Sequence, residues 1–195
     1  MIKRLRLILW LFVALALALA AMLWWRAGQP VRAPEAASPV TSGAPFTLTA
    51  SDGSRFDSAS LKGTPYVLFF GFTHCPDVCP TTLARLARLR VRLGKPFTIV
   101  FVTVDPERDT PAEMARFAAA FATPIVALTG TPAEIAGVTK SFGIYSSKVA
   151  AKDGDYTIDH TATVLLFDRA GRFTATIAPD EGDGPAFAKL KRIAG

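Results

Sequence analysis

The chain of 195 residues has only two cysteines, Cys75 and Cys79, and two histidines, His74 and His160. One disulfide is therefore the most it can close on itself. Neither cysteine lies near the N-terminus, which excludes a lipid anchor on cysteine. Acidic residues are missing from positions 1–33, where Lys3, Arg4, Arg6, Arg26 and Arg32 stand. The remainder carries 17 positive charges against 16 negative, so the net charge of +6 belongs mostly to the N-terminal segment. A nearly neutral remainder is a poor electrostatic partner for a phosphate backbone, so no nucleic acid is expected. Internal repeats are absent as well.

Residues 7–25 lack charge, proline and glycine over 19 consecutive positions. As a helix they reach about 28 Å, close to the hydrocarbon thickness of a bilayer. Lys3, Arg4 and Arg6 favour an N-terminus kept in the cytoplasm and a chain that continues outside. The Ala-Leu alternation at 14–20 resembles the small-residue end of a cleaved leader. Met22, Leu23, Trp24 and Trp25 prolong the run past it, and the two tryptophans suit a membrane interface. Segment 1–26 therefore reads as a retained anchor. The expected placement is single-pass in the inner (cytoplasmic) membrane, with the domain facing the periplasm. Residues 27–45, rich in Pro, Ala, Gly and Ser, read as a tether.

From residue 46 onward strand and helix signals alternate, the pattern of an α/β sheet. Residues 46–49 and 55–56 make a hairpin about Asp52 and Gly53. The unbroken apolar run at 66–70 suits a buried central strand, and 97–104 a second. A helix is expected over 80–93, stopped by Gly94, with Arg85, Arg88 and Arg92 on its wet face. Thr110-Pro111-Ala112-Glu113 and Thr131-Pro132-Ala133-Glu134 each set a capping residue, a proline at the first helical position and a glutamate at the third. Helices follow to about 121 and 142, with a short strand at 125–128 between them. Residues 145–159 read as a long loop. A hairpin of 161–167 and 173–177 and a helix at 185–193 complete the chain. This order predicts a thioredoxin-like fold over 46–195 with an N-terminal β-hairpin extension, preceded by a single transmembrane helix.

Residues 71–83 read GFTHCPDVCPTTL. Cys75 follows a buried strand and Cys79 opens a helix, whose N-terminus favours a thiolate. That much describes a thiol-disulfide oxidoreductase. Two features point to metal instead. The spacing is CxxxC rather than the CxxC of thioredoxins, and sulfurs one helical turn apart can share a face and hold an ion. No Lys or Arg lies between Phe69 and Arg85, whereas Asp77 sits inside the loop. A carboxylate beside two thiols opposes their ionisation until a cation arrives. A structural disulfide would close a loop too short to add much stability. Metal and redox roles both stay open.

His160 lies in YTIDHTA at 156–162, where the expected loop meets an apolar strand. In a thioredoxin-like fold the turn before that strand faces the active-site loop. Thioredoxins place a cis-proline there, but no proline occurs between Pro132 and Pro179. A histidine from that turn can reach an ion held by both cysteines; otherwise it is a surface histidine at a strand start. His74 adjoins Cys75, and a neighbour in an extended loop tends to point away. It is a lesser ligand candidate, or a source of positive charge when protonated. Two thiolates and an imidazole form a soft set that suits Cu(I), and the imidazole also admits Cu(II). Zinc accepts the same donors, with Asp77 or Asp159 available as a fourth.

Together with FVTVDPERDTP at 101–111, these segments closely resemble the Sco/SenC family of copper-binding proteins. The three motifs occur in order, Asp-Gly at 52–53 and LTG at 128–130 agree, and the likeness covers about residues 45–195. The resemblance implies a thioredoxin-like domain that binds Cu(I) and Cu(II). It places the metal ligands on Cys75, Cys79 and His160, with Asp77 and Asp159 in supporting positions around them. It further implies copper delivery to the copper A site of cytochrome c oxidase subunit II, or reduction of that site's cysteines. Another copper protein is the alternative recipient. A periplasmic copper donor, a thiol reductant and the membrane are the other expected partners. A metallochaperone needs all three ligands, whereas for a thiol-disulfide reductase Cys75 and Cys79 are catalytic and suffice. A peroxidase would want a cation beside Cys75, and the sequence puts none nearby. Segment 145–159 is less alike and short of apolar anchors, so it is expected to move as His160 engages or leaves the metal. In the DPERDTP segment, Asp105 and Pro106 end a strand and Thr110 caps a helix, an account preferred to direct partner contact.

Overall fold

The computed structural model describes residues 44–151 and 154–195, with residues 6, 10, 12, 14, 15, 17–19, 21 and 22 of the N-terminal segment in helical conformation. Most of the expected anchor and the tether up to residue 43 lie outside the described residues. Among those described, no helix is long and apolar enough to cross a membrane. The chain forms two compact units, Met1–Pro39 and Val40–Gly195.

The second unit runs β1 (Thr47–Ala50), β2 (Arg55–Asp57), β3 (Tyr66–Gly71), α1 (Val78–Leu93), β4 (Thr98–Thr103), α2 (Pro111–Ala119), β5 (Ile125–Thr129) and α3 (Pro132–Ser141). It continues with β6 (Ser146–Ala150), β7 (Tyr156–His160), β8 (Val164–Phe167), β9 (Phe173–Ile177) and α4 (Asp183–Ala194). Among the described residues, seven strands form one sheet in the order β2-β1-β5-β4-β3-β8-β9, and β6 and β7 form a separate pair. Strands β3, β4 and β5 are parallel; β1 and β8 flank them antiparallel. This is a mixed α/β, thioredoxin-like sheet with the β1–β2 hairpin added at one edge.

Every residue of β3 is buried, as is all of β4 beyond Thr98. Strands covered on both faces need apolar side chains at every position, hence the unbroken runs in the sequence. Alternate residues then serve opposite faces. On one face Phe69 stacks on Phe101 at 5.9 Å, and Phe101 meets Phe117 of α2 at 5.4 Å. On the other, Phe70 meets Phe142, on which Phe46 and Phe167 also close. Gly71 shares the face of Phe69. A Cβ there would lie 2.7 Å from the Cys79 sulfur and 2.9 Å from the Phe101 ring. Glycine at this position is what lets α1 set Cys79 directly on the sheet.

Both Thr-Pro-Ala-Glu segments start helices. Thr110 and Thr131 accept the N–H of Glu113 and Glu134, and Glu134 returns a bond to the Thr131 N–H. Each such cap contributes about 1 kcal/mol.

Four expectations need correction. Residues 145–159 are not a loop: β6 and β7 form a hairpin with Ser146 opposite His160 and a turn through Gly154 at φ 82°. The alternation that marks a strand is missing because β6 is exposed along its length and only Ile158 of β7 is buried. The strand expected from 161 begins at Val164. Helix α1 starts at Val78, ahead of Pro80, which takes a first-turn position where no N–H is needed. Arg85 is not on a wet face. It is mostly buried, pairs with Asp183 at 2.7 Å and donates to the Glu181 carbonyl, tying α1 to the start of α4.

Candidate metal and thiol centre

The turn from β3 into α1 presents both cysteines. Cys75 is half-buried just before the helix, and Cys79 is fully buried in its first turn. The cap residue Asp77 makes no side-chain bond to the helix N–H groups. The Cys79 N–H instead donates to the Cys75 sulfur at 3.4 Å. That sulfur takes the place of a capping oxygen and faces the positive end of the helix. Asp77 is exposed and accepts from the Thr81 hydroxyl at 3.1 Å.

Burial pushes the Cys79 thiol far above its ordinary range. A bond from the Phe72 backbone pulls the other way, and Cys75 and Asp109 push it further up. At neutral pH the thiol keeps its proton, so a cation that binds there must displace it.

His160 reaches the same sulfur from the end of β7. Its Nε2 lies 3.7 Å from the Cys79 Sγ. Its Nδ1 lies 3.1 Å from the Thr161 carbonyl oxygen. A carbonyl only accepts, so the network assigns the ring hydrogen to Nδ1 and leaves the Nε2 lone pair facing the thiol. Phe72 meets the imidazole edge-on at 5.8 Å. Burial lowers the His160 pKa below its ordinary 6.5, against smaller upward effects of Thr161 and Asp159. The ring is therefore neutral at pH 7, the form that binds metal.

A lowered pKa also ties stability to pH, because the unfolded chain then holds the proton more tightly than the folded one. The contribution of His160 is whole above pH 6.5 and is lost as pH falls from there toward the folded value. Urea unfolding of the metal-free, reduced chain is expected to show lower stability at pH 5.5 than at pH 7.5. His160→Gln should narrow that difference; an undiminished difference in the variant would assign it to other groups.

His74 turns away from the sulfurs. Its Nδ1 lies 3.1 Å from the Thr73 hydroxyl and 3.8 Å from Asp109. Asp159 is exposed next to His160, and the partner that orients the imidazole is the Thr161 carbonyl. Among the described residues, no three His, Cys, Asp or Glu side chains stand close enough to hold an ion as they are. The centre consists of two pairwise approaches that share Cys79, one from Cys75 and one from His160.

Sequence reasoning missed what supports these approaches. Asp109 is fully buried and accepts from the Thr73 N–H at 3.0 Å, the Thr73 hydroxyl at 2.6 Å and the Thr103 hydroxyl at 2.6 Å. It pins the cysteine loop to the end of β4. Asp105, also buried, accepts from the Tyr156 hydroxyl at 2.8 Å and pairs with Arg108. The DPERDTP segment thus faces inward, with one aspartate toward each half of the centre. Two aspartates four apart, straight after an apolar strand, were the available signal.

A parallel-centred sheet, two thiols at a strand-to-helix turn and an imidazole closing on them from a distant hairpin define a thioredoxin-like thiol-and-imidazole domain. Residues 34–195 match the SCO1/SenC family. The chain belongs to that family. It is 39% identical over 128 residues to the mitochondrial SCO1 homolog 1 of Arabidopsis thaliana, spanning 64% of this chain and 38% of that protein. The solved structure of Bradyrhizobium japonicum ScoI with copper bound is 46% identical, with a TM-score of 0.71, over 78% of this chain and 99% of that one. BsSco, a member of the Sco family of cytochrome c oxidase assembly proteins in which a disulfide switch was identified, is 27% identical with a TM-score of 0.63, over 79% of this chain and 94% of that one.

Proposed function

We propose that the chain is a copper metallochaperone. It holds Cu(I) and Cu(II) through Cys75, Cys79 and His160 and passes copper to the copper A site of cytochrome c oxidase subunit II, or to another copper protein. One observation carries this reading. The His160 Nε2 is held 3.7 Å from a buried sulfur 81 positions away in sequence, while its other nitrogen is tied to a carbonyl. A surface histidine at a strand start has no need of such an arrangement. Two sulfurs and an imidazole nitrogen suit a soft ion, and the copper-bound relative favours copper over zinc. Gathering all three donors on one ion calls for a small approach of β7 or of the cysteine loop. Ligand exchange with thiolates of the recipient would release the cargo. The anchor over 1–26 would cross the inner membrane once, with the N-terminus inside and the domain in the periplasm beside its copper donor and thiol reductant.

Metal analysis and the visible spectrum of the reduced full-length chain test this. One copper per chain is expected, with a thiolate-to-copper charge-transfer band on addition of Cu(II). His160→Ala should lose or shift that band. Full copper retention with an unchanged band in the variant would remove His160 from the site.

A second reading, thiol-disulfide reductase, has its own support. Both thiols are free, and the Cys79 N–H lies on the Cys75 sulfur. As the two thiols join in a disulfide they yield two electrons and two protons, which a disulfide on the oxidase subunit would accept. This chemistry needs Cys75 and Cys79 but not His160. A normal oxidase level in cells carrying His160→Ala favours it over metal delivery.

A further inference from the structure

The β6–β7 hairpin that carries His160 has almost no core of its own. Among the described residues it pairs with no strand of the main sheet, and Ile158 is the one buried side chain of its two strands. Tyr156, Ile158 and His160 alternate along β7 and so face the body of the domain together. Ile158 packs into the core at the middle, and His160 meets Cys79 and Phe72 at one end. The other end is held by polar contacts to the 105–108 turn. The Tyr156 hydroxyl donates to Asp105 at 2.8 Å. Arg108 pairs with the same buried Asp105, donates to the Tyr156 carbonyl at 3.0 Å and to Asp155 at 3.2 Å, and lays its guanidinium 3.8 Å over the Tyr156 ring. Lys148 of β6 adds an exposed pair with Glu107 at 2.6 Å, a contact of small weight in water.

We infer that Asp105, Arg108 and Tyr156 form a latch that positions His160 over the cysteine pair. The inference rests on the metal-site reading above and assigns these three residues no contact with the ion. Tyr156 and His160 are four residues apart on one short strand, about 13 Å at 3.3 Å per residue. Ile158 sits between them as the pivot. Release of the latched end frees the hairpin to tilt, and the end that moves with it bears the imidazole. The thiols stand on α1 and its preceding turn, held through Asp109, and are not part of the latch. Thiolates are the preferred donors of Cu(I) and imidazole that of Cu(II), so the latch bears most on Cu(II) and leaves the dithiol that dominates Cu(I) binding intact.

Tyr156→Phe and Arg108→Ala in the full-length, reduced chain test this in two arms. The first needs no metal: backbone hydrogen exchange over residues 146–160 should quicken about tenfold, with α1 and the central strands unchanged. The second compares copper affinities. Cu(II) binding should weaken about tenfold, while Cu(I) binding changes less than threefold. Tyr156→Phe should add nothing in a His160→Ala background, as for two residues that act through one contact. Arg108→Lys keeps the charge but not the forked geometry and should fall between native and Arg108→Ala. Native exchange rates in the variants would overturn the latch. So would an equal loss of Cu(I) and Cu(II), because that reports a disturbed domain rather than a displaced imidazole. If the native chain takes up no copper, the metal reading fails, and the exchange arm still decides whether the latch exists.

Discussion

Cys79→Ala is expected to abolish copper uptake while leaving the domain folded. Cys79 is the residue that both other donors approach, the Cys75 sulfur at its backbone N–H and the His160 Nε2 at its sulfur. Loss of a residue that merely orients a ligand already costs about 10–100-fold in affinity. Loss of the shared ligand should cost more, enough to strip copper during desalting. The fold suffers less, because truncation of a small buried side chain leaves a small cavity, worth about 1–2 kcal/mol. Cys75→Ala should lose copper equally and cost less stability, since Cys75 is only half-buried. The native chain should also release protons as copper binds and bind more tightly as pH rises, because burial keeps the Cys79 thiol protonated in the free state. Copper per chain after desalting and the urea midpoint of the same samples report both effects. One copper retained per Cys79→Ala chain would end the metal proposal.

The largest stability loss is expected from Asp109→Ala, a residue that no ligand argument singles out. Its carboxyl is fully buried and accepts three hydrogen bonds, two from Thr73 and one from Thr103. A buried donor left without a partner costs about 1–3 kcal/mol. Some of that is offset, since a polar group leaves the interior and Thr73, at the rim of the centre, can reach water. A net loss of about 3 kcal/mol follows, near the upper end for single substitutions. At a urea dependence of about 1.5–2 kcal/mol per M, the midpoint should fall by about 1.5–2 M. The release of Thr73, two residues before Cys75, should also loosen the thiol pair, visible as faster alkylation of Cys75. Asp109→Asn keeps one acceptor oxygen and should fall between the two. A midpoint within 0.5 M of native, about 1 kcal/mol, would show that Thr73 and Thr103 find other partners.

Most of the scaffold was legible because local rules and tertiary structure agree there. The runs at 66–70 and 97–104 had to be central strands, being apolar at every position. Thr110 and Thr131 announced their helices through the capping oxygen and the proline that follows. The hairpin that holds His160 was illegible for the same kind of reason. Strand β6 is exposed on every residue, so burial imposes no period on its sequence. Arg85 was misplaced because helical spacing shows which face of α1 is apolar, but not that Asp183 and Glu181 come to meet an arginine beside it. Both errors concern polar surfaces, where the partner is supplied by a distant part of the chain.

By itself the sequence determined which groups are available: two thiols on a strand-to-helix turn, one imidazole before an apolar strand, and a near-neutral charge balance over the domain. Those facts follow from composition, spacing and burial period, which are local properties. Tertiary structure alone decided that the imidazole faces Cys79 rather than solvent, that its Nδ1 is held by Thr161, and that Asp105 and Asp109 turn inward, one to each half of the centre. Apart from the His160–Thr161 contact, these join residues 30 or more positions apart. They depend on how β3, β4 and the β6–β7 hairpin are placed in space, which no single segment of sequence encodes.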